Sequence, residues 1–279
     1  MARRTFSLTR SSRPARGTAV AGGQRGWAVL GAGCGLLAAL VLFAPARWLA
    51  ALVEDAAGGQ VRLAAPQGTV WDGSAQLVLT GGPGSADAAA LPERLRWRLR
   101  PAWSGAQPGL RAEVQAGCCT PAPLALTASG GFSGVRIAVA DASSRWPAAL
   151  LAGLGTPWNT LQPEGTLVLR TSGLVLAMAA GRLAVTGGAT LDAEAMSSRL
   201  STLRPMGSYR LALAGGDVPT LQLTTLEGAL RLSGSGQWVG ARLRFNGEAS
   251  AAPDREAALS NLLNIIGRRN GATSVISVG

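Results

Sequence analysis

The side chains able to carry out chemistry in this 279-residue chain are few in number and in kind. The chain has no histidine, three cysteines and 15 aspartates and glutamates. Without histidine, histidine-based triads, histidine proton relays and histidine metal sites are excluded. The carboxylates are scattered and form no acid–base pair in a motif, and the glycine-rich stretches lack the Lys-Ser/Thr of a phosphate-binding loop. The sequence predicts a protein that is not an enzyme and that needs no cofactor or metal.

The cysteines differ in their surroundings. Cys34 lies within a long apolar segment, whereas Cys118 and Cys119 are neighbours in a polar part of the chain. Two cysteines without a histidine do not make a zinc site. In an oxidising compartment, adjacent cysteines either bridge to each other in a strained ring, stay free, or bridge to another chain. A structural role is favoured for this pair, and an intermolecular disulfide is the alternative.

Positive charge is concentrated at the N-terminus. All 26 basic residues are arginine, and six of them lie in residues 1–26, which contain no acidic residue. The net charge of +11 therefore falls to +5 for the rest of the chain, which has 20 arginines and 15 acidic residues. A basic arm before an apolar segment is typical of a membrane-topology signal, so no nucleic-acid partner is expected.

The apolar segment Trp27–Ala46 contains 20 residues and no charge. At about 1.5 Å per residue, a helix of this length crosses a hydrocarbon core. Trp27 and Trp48 lie near its ends, where indole rings favour the headgroup region. The arginine excess before the segment indicates that the N-terminus is cytoplasmic.

This pattern predicts three regions. They are a basic cytoplasmic arm over residues 1–26, a single transmembrane helix over 27–48, and a domain outside the cytoplasm over 49–279. The alternative is a cleaved signal peptide, because Ala44-Pro45-Ala46 resembles a small-x-small cleavage site.

Short stretches of alternating apolar and polar residues dominate the outside domain. The clearest is Arg94–Arg100 (RLRWRLR), where Leu95, Trp97 and Leu99 face one way and four arginines face the other. Such period-two alternation predicts a half-buried strand. Glycine or proline separates most of these stretches, which favours a mostly β fold with an antiparallel, glycine-rich sheet.

Recurrent glycine-led strand starts at positions 68, 165 and 228 are compatible with a domain of two halves dividing near residues 153–163, and the alternative is chance recurrence in a glycine-rich β sequence. Three stretches favour short helices or turns. Ser143–Gly153 offers a serine cap and Asp192–Leu203 fits a turn or short helix. Asp254–Ile266 has Asp254 as a cap and an apolar stripe that we expect to cover part of the sheet.

The arginines of the RLRWRLR strand allow two interpretations. On one strand face, Arg94, Arg96, Arg98 and Arg100 are suited to bind anionic lipid headgroups or acidic residues of a partner subunit. The alternative is a solvated face with cross-strand ion pairs, and the sequence favours this second interpretation.

The segment Gly68-Thr-Val-Trp-Asp-Gly73 places a tryptophan between two glycines. Gly68 and Gly73 permit backbone angles closed to other residues, and Trp71 can bury a large apolar area. We expect a structural corner at the start of the sheet, with a contact surface as the second interpretation.

The order of these motifs resembles the general secretion pathway protein N family of bacterial type II secretion systems. The matching residues of the first motif are Gly68, Thr69, Val70, Trp71 and Gly73, and those of the second are Leu91, Pro92, Leu95, Trp97 and Leu99. The stretches Leu203–Tyr209 and Leu259–Gly267 also look familiar, and the likeness spans most of residues 27–270. The longer N-terminal arm and the cysteine pair depart from the family pattern.

The resemblance implies a non-enzymatic accessory component of the inner-membrane assembly platform, which supports export of folded periplasmic proteins. Its periplasmic domain would contact other inner-membrane subunits and those that link to the outer-membrane secretin. The competing interpretation is an inner-membrane-anchored periplasmic protein that handles lipid or assembles the envelope, with a curved β-sheet groove. A groove requires exposed apolar residues along one face without a covering helix.

Overall fold

The computed structural model describes residues 22–104, 107–131, 134–179, 182–240 and 242–279. The chain divides into two compact units, residues 1–43 and 44–279. In the first unit, helix α1 (Gly22–Leu42) contains most of the apolar segment. Most of the predicted basic arm, residues 1–26, lies outside the described residues, and its last five residues begin α1.

The continuous helix predicted over residues 27–48 is wrong in its bounds. Helix α1 ends at Leu42 and a second helix, α2 (Ala46–Ala56), begins after Pro45. Proline lacks the backbone N–H that would continue a helix and fits the start of a new one, which explains the break. Among the described residues, no helix combines the length and the apolar character needed to span a membrane.

The second unit is built on one antiparallel sheet. Its strands, taken from the described residues, are β1 (Val61–Gly68), β2 (Asp72–Thr80), β3 (Ala88–Ser104), β4 (Gln107–Ala116), β5 (Leu124–Gly131), β6 (Gly134–Val139), β7 (Ala142–Pro147), β8 (Glu164–Ala179), β9 (Arg182–Ser197), β10 (Gly207–Gly216), β11 (Thr220–Gly228), β12 (Leu230–Val239), β13 (Arg242–Ala251), β14 (Arg268–Asn270) and β15 (Thr273–Val278). Neighbours in the chain are neighbours in the sheet, except that β6 and β7 both pair with β8 and that β15 lies between β13 and β14. The predicted mostly β, antiparallel fold is confirmed.

The register separates the side chains of the sheet onto two faces. Gly73, Trp97 and Val114 lie opposite one another on β2, β3 and β4, and the next row is Asp72, Arg98 and Glu113. Because successive side chains point to opposite faces, the sheet has an apolar face and a polar face, as the RLRWRLR stretch predicts.

Two of the three helix predictions need correction. Ser143–Gly153 is not a serine-capped helix: its first part lies in β7, followed by a 3-10 helix, η1 (Ala148–Leu154). Ser144 and Trp146 pair with residues of β8, and this strand pairing outweighs the local helix signal. Within Asp192–Leu203, strand β9 continues to Ser197 because Asp192 is held between the two adjoining strands. The predicted turn is present only at residues 199–200, within the loop 198–206.

The C-terminal helix prediction is confirmed, but its cap is wrong. Helix α4 spans Glu256–Ile266. The residue before its first turn is Arg255, and no side chain caps the helix. Asp254 lies one residue too early, with a left-handed φ of 64°, so it is not in the capping position.

Three apolar clusters lie between the apolar face and the elements that cover it. Helix α4 buries Leu259, Leu262 and Leu263 against a cluster that includes Leu230 and Tyr209. The 3-10 helix buries its Leu150 with residues of β3 and β4, and the start of α2 packs near Trp97. The coverage by α4 agrees with the expectation from its stripe.

The segment 153–163 holds the end of η1 and a short helix, α3 (Trp158–Leu161), between β7 and β8. These two strands pair directly with each other. The division of the domain into two halves near this segment stays a prediction.

Candidate functional site

The Gly68–Gly73 motif forms the tight connection between β1 and β2. Thr69 N–H donates to the Asp72 carbonyl at 2.9 Å, and Asp72 N–H donates to the Thr69 hydroxyl at 3.1 Å. Gly68 has φ +85°, and a Cβ there would lie 2.5 Å from the Asp72 carbonyl oxygen. Glycine is therefore required at position 68 both for its backbone angle and for the close approach of the chain.

The second motif meets this connection through Trp97. The Trp97 side chain is buried, and its indole Nε1–H donates to the carbonyl oxygens of Val70 at 3.1 Å and Thr69 at 3.3 Å. A Cβ on Gly73 would lie 2.5 Å from Cζ2 of Trp97. The indole thus fills the space that Gly73 leaves empty and donates to two carbonyls of the tight turn.

The chain that leads into α2 also joins this connection. Val70 N–H donates to the Ala44 carbonyl at 2.8 Å, and Pro45 forms a bridge with Thr69. Leu99 N–H donates to the Trp71 carbonyl at 2.7 Å. We name residues 44–46, 68–73, 97 and 99 the corner. The structure brings the two family motifs together there, while the Trp71 side chain is half-buried.

The arginines of β3 have different surroundings. Arg94 is used internally, because its guanidinium donates to the Ala65 carbonyl at 2.8 Å and the Ser74 carbonyl at 3.0 Å. Arg98 pairs with Asp72 at 3.3 Å, and both side chains are largely exposed. These two contacts agree with the second interpretation of the β3 arginines, a solvated face on which arginines bind groups of neighbouring strands.

The remaining arginines of this face are exposed. Arg100 donates to the carbonyl of its neighbour Leu99 at 3.2 Å. Arg96 has no ion pair within the described ranges. Arg100 lies opposite Arg111 of β4, which pairs with Glu113 at 3.4 Å. We name Arg96, Arg98, Arg100 and Arg111 the basic strip.

The strongest ion pairs of the sheet were not foreseen from the sequence. Asp192 has a side chain only 4% exposed and accepts from Arg210 Nε at 2.6 Å, Arg210 Nη2 at 2.8 Å and Arg170 Nη1 at 2.5 Å. The bonds from Arg210, and then those from Arg170, hold the pKa of the Asp192 carboxyl below its usual value although burial opposes this shift. The same pairing raises the pKa of Arg210. The sequence did contain a signal: Arg170 and Asp192 each interrupt a run of Leu, Ala, Thr and Val, and Arg210 directly precedes Leu-Ala-Leu-Ala in β10.

The cysteine pair forms a disulfide between Cys118 and Cys119 in the turn from β4 to β5. Cys119 is buried and its carbonyl accepts from Arg145 N–H at 2.7 Å, while Cys118 is exposed. The turn is further closed by Thr120, whose hydroxyl accepts from Ala116 N–H at 2.9 Å. The hydrogen bond at the Cys119 carbonyl thus joins the β4–β5 turn to β7.

Groups of three or more His, Cys, Asp or Glu side chains placed to hold a metal ion do not occur within the described part of the chain. The candidate functional features that the described residues offer are surfaces: the corner, the basic strip and the two faces of the sheet.

Comparison with protein families gives one finding. The family model described as "Type II secretion system (T2SS), protein N" matches residues 59–276, which is well over half of the chain and includes every strand in whole or in part. No curated protein and no solved structure matches the chain.

Proposed function

Because the chain belongs to the type II secretion system protein N family, we propose that it is a non-enzymatic accessory component of the inner-membrane assembly platform. In this role the β sheet is a docking body that contacts other subunits of the platform and those that link it to the outer-membrane secretin. The observation that carries the proposal is the family match over the whole sheet, from residue 59 to residue 276.

The basic strip is the surface that we assign to subunit contact. It sets four exposed arginines against two carboxylates, Asp72 and Glu113. Exposed ion pairs contribute only about 0.2–1 kcal/mol, so an acidic partner can replace them at little cost. Complementary charge at such a surface increases the rate of association and orients the partner. The expected partner surface is therefore acidic and belongs to another secretion subunit.

The corner has a supporting part in this proposal. Its family-motif residues contact one another, so they hold the start of the sheet in place and set the position of β3 next to it. A substitution in the corner is expected to reduce secretion through the stability of the body, whereas a substitution in the basic strip is expected to reduce it without loss of stability.

We further propose that the body lies in the periplasm and that the chain is attached to the inner membrane. Large apolar side chains of the first unit are exposed, including Trp27, Leu36, Leu37 and Phe43, and apolar surface of this kind favours lipid. A reporter enzyme active only in the periplasm, fused after Gly279, is expected to be active. Activity of a second reporter enzyme that works only in the cytoplasm, fused at the same position, would contradict the proposed location.

The contact is tested by crosslinking in the intact envelope. A photo-crosslinking amino acid replaces Arg96 in the full chain, and the control replaces Arg231, which is also exposed on the polar face but lies on β12. We expect a crosslink to a secretion subunit from position 96 and a much weaker one from position 231. Equal capture from both positions would refute the assignment of the strip.

A secretion assay then tests function. The double substitution Arg96→Glu with Arg100→Glu is expected to lower secretion in a strain that lacks the native chain, with the melting temperature unchanged. Arg231→Glu is the matched charge reversal and is expected to leave secretion unchanged. Normal secretion in the strain without the chain would contradict the accessory role itself.

A further inference from the structure

Three hairpins of the sheet end side by side. They contain the connections from β3 to β4, from β5 to β6 and from β8 to β9. Because β4 pairs with β5 and β6 pairs with β8, all in antiparallel register, the three connections lie at the same end of these strands. We name this part of the sheet the hairpin end.

The apolar face becomes more exposed toward the hairpin end. Trp97 of β3 is buried, whereas Trp103, which lies on the same face six residues further along the strand, is 75% exposed. Leu110, Val135 and Met178 lie on this face of β4, β6 and β8, and their exposure is between 42% and 53%. We name Trp103, Leu110, Val135 and Met178 the rim.

The helices that cover the apolar face lie away from the rim. The 3-10 helix η1 packs its Leu150 with Leu91 and Ala116, at the opposite ends of β3 and β4. Helix α4 buries its leucines with residues of β10, β12 and β13. None of the three buried clusters of the described residues includes a rim residue. An exposed apolar patch of this kind marks a site of contact with another protein or with a membrane.

The point at which the chain enters the body favours the membrane. The second unit begins at Ala44, whose carbonyl accepts from Val70 N–H at 2.8 Å in the corner. The corner also holds Leu99 of β3, through its bond to the Trp71 carbonyl. Trp103 lies four residues beyond Leu99 toward the hairpin end, which is about 13 Å along the strand. The segment that we assign to the membrane therefore joins the body close to the rim.

A short tether has an energetic consequence for the rim. Because the chain stays attached to the membrane, the local concentration of lipid at the rim is high, and even weak insertion of a few side chains is populated. Indole rings such as that of Trp103 favour the headgroup region, and the aliphatic rim residues suit the boundary of the hydrocarbon core. A soluble partner would have to bind without this proximity.

The hairpin end carries no acidic side chain. Residues 100–111, 128–137 and 175–186, which include the rim, contain four charged residues, and all are arginine. The register places the four on the polar face, so they do not line the rim; they are Arg100, Arg111, Arg136 and Arg182. Because no carboxylate is present, nothing at the hairpin end repels phosphate headgroups.

We propose that the rim inserts into the headgroup region of the membrane that holds the apolar segment, so that the sheet rests on the bilayer by its hairpin end. The inference rests on the membrane attachment given under the proposed function. It adds a second contact with lipid, made by strands that are distant from the apolar segment in the chain. This contact would fix the orientation in which the body meets other subunits.

Photo-crosslinking of the full chain in cell envelopes tests the contact. A benzophenone amino acid replaces Trp103, and the control replaces Trp158 of α3, which is 37% exposed. Helix α3 lies at the opposite end of β3, because its Asn159 donates to Asp87 at 2.9 Å, just before that strand begins. We expect phospholipid adducts from position 103 in about tenfold excess over position 158, which corresponds to a preference of about 1.4 kcal/mol.

A second measurement uses the full chain in phosphatidylcholine vesicles whose acyl chains carry bromine, which quenches tryptophan fluorescence on contact. Trp103→Phe is expected to lower the quenched fraction of the emission, because it removes a tryptophan that touches lipid. Trp158→Phe is expected to raise this fraction, because it removes one that does not. The other six of the eight tryptophans are common to both variants. Both substitutions keep an aromatic ring at an exposed position, so the melting temperature is expected to stay unchanged.

Carbonate extraction of the same envelopes separates this inference from the attachment on which it rests. A chain that is released by carbonate would overturn both. A chain that is retained, but gives equal lipid adducts from positions 103 and 158, would overturn the rim contact alone. Capture of another protein or of a second copy of the chain from position 103 in place of lipid would do the same, as would equal quenching in the two phenylalanine variants.

Discussion

The contact between Gly73 and Trp97 makes a quantitative prediction about the corner. In Gly73→Ala, the added methyl group would lie 2.5 Å from Trp97 Cζ2, 2.7 Å from the Gln67 carbonyl oxygen and 2.8 Å from the Thr69 carbonyl oxygen. Real Cβ atoms do not approach heavy atoms this closely, and two of the three neighbours are backbone atoms that cannot rotate away. The corner must therefore shift to accept the methyl group.

The cost follows from what the shift disrupts. Overpacking of a filled core costs about 1–3 kcal/mol. Displacing Trp97 also weakens its hydrogen bonds to Thr69 and Val70, each of which contributes about 0.5–1.5 kcal/mol. We therefore expect Gly73→Ala to lower the free energy of unfolding by about 3 kcal/mol. For a body of this size the melting temperature would fall by about 6–12 °C.

Denaturant unfolding of the full chain in detergent, followed by far-ultraviolet circular dichroism, measures this change. The control is Gly130→Ala, since the nearest atoms to a Cβ there lie 3.9 Å away, and it is expected to change the free energy of unfolding by less than about 0.5 kcal/mol. In a Trp97→Leu background the cost of Gly73→Ala should fall by about 1 kcal/mol or more, because the two positions are coupled. A loss below about 1 kcal/mol in the native background would refute the packing argument.

Three further predictions concern side chains of the sheet. Tyr209 has a buried hydroxyl without a hydrogen-bond partner in the described structure, and burial raises its pKa. Tyr209→Phe should therefore leave the free energy of unfolding unchanged or raise it by up to about 1 kcal/mol, as measured by thermal unfolding. A decrease of more than about 1 kcal/mol would show that the hydroxyl has a partner. Asp192→Asn should lower the free energy of unfolding at pH 7 by about 2 kcal/mol. The pKa of Asp192 is lower in the folded protein than in the unfolded chain. The difference in free energy of unfolding between the two proteins should therefore be complete at a pH above the unfolded pKa of about 3.9, and it should shrink as the pH falls through the folded pKa. A difference that stays unchanged in acid would contradict the ion-pair argument. Arg98→Ala breaks an exposed ion pair and should lower the free energy of unfolding in denaturant by less than about 1 kcal/mol. Arg94→Ala removes bonds to the Ala65 and Ser74 carbonyls and should lower it more. The reverse order would contradict the different roles assigned to these arginines.

The sheet and its faces were predictable because each strand carries its own alternation. In Arg94–Arg100 the pattern specifies which residues are buried whatever the strand's partners are, and Trp97 is buried as expected. Helix α4 was likewise predictable from its leucines. Its cap was not, since capping depends on a backbone angle at Asp254 that the local residues do not impose.

The elements that were missed are those whose local preference is overridden by a partner distant in the chain. Ser143–Pro147 reads locally as the start of a helix, yet it extends along β8. Asp192 reads as a turn residue, yet it stays in a strand because arginines from β8 and β10 neutralise it there. The different uses of Arg94 and Arg98 also depend on which carbonyls and carboxylates the neighbouring strands bring beside them.

By itself the sequence determined the absence of histidine chemistry, the strand-rich body and the order of motifs that marks the secretion family, since these are properties of composition and of short periodic stretches. Only the tertiary structure decided that the Gly68–Gly73 motif and the strand motif around Trp97 form one corner. It also decided that η1 and α4 cover parts of the apolar face, while Leu110, Val135 and Met178 on the same face stay exposed. These features arise from pairing between residues far apart in the chain, and the free energy of such contacts depends on how strands and helices are placed together.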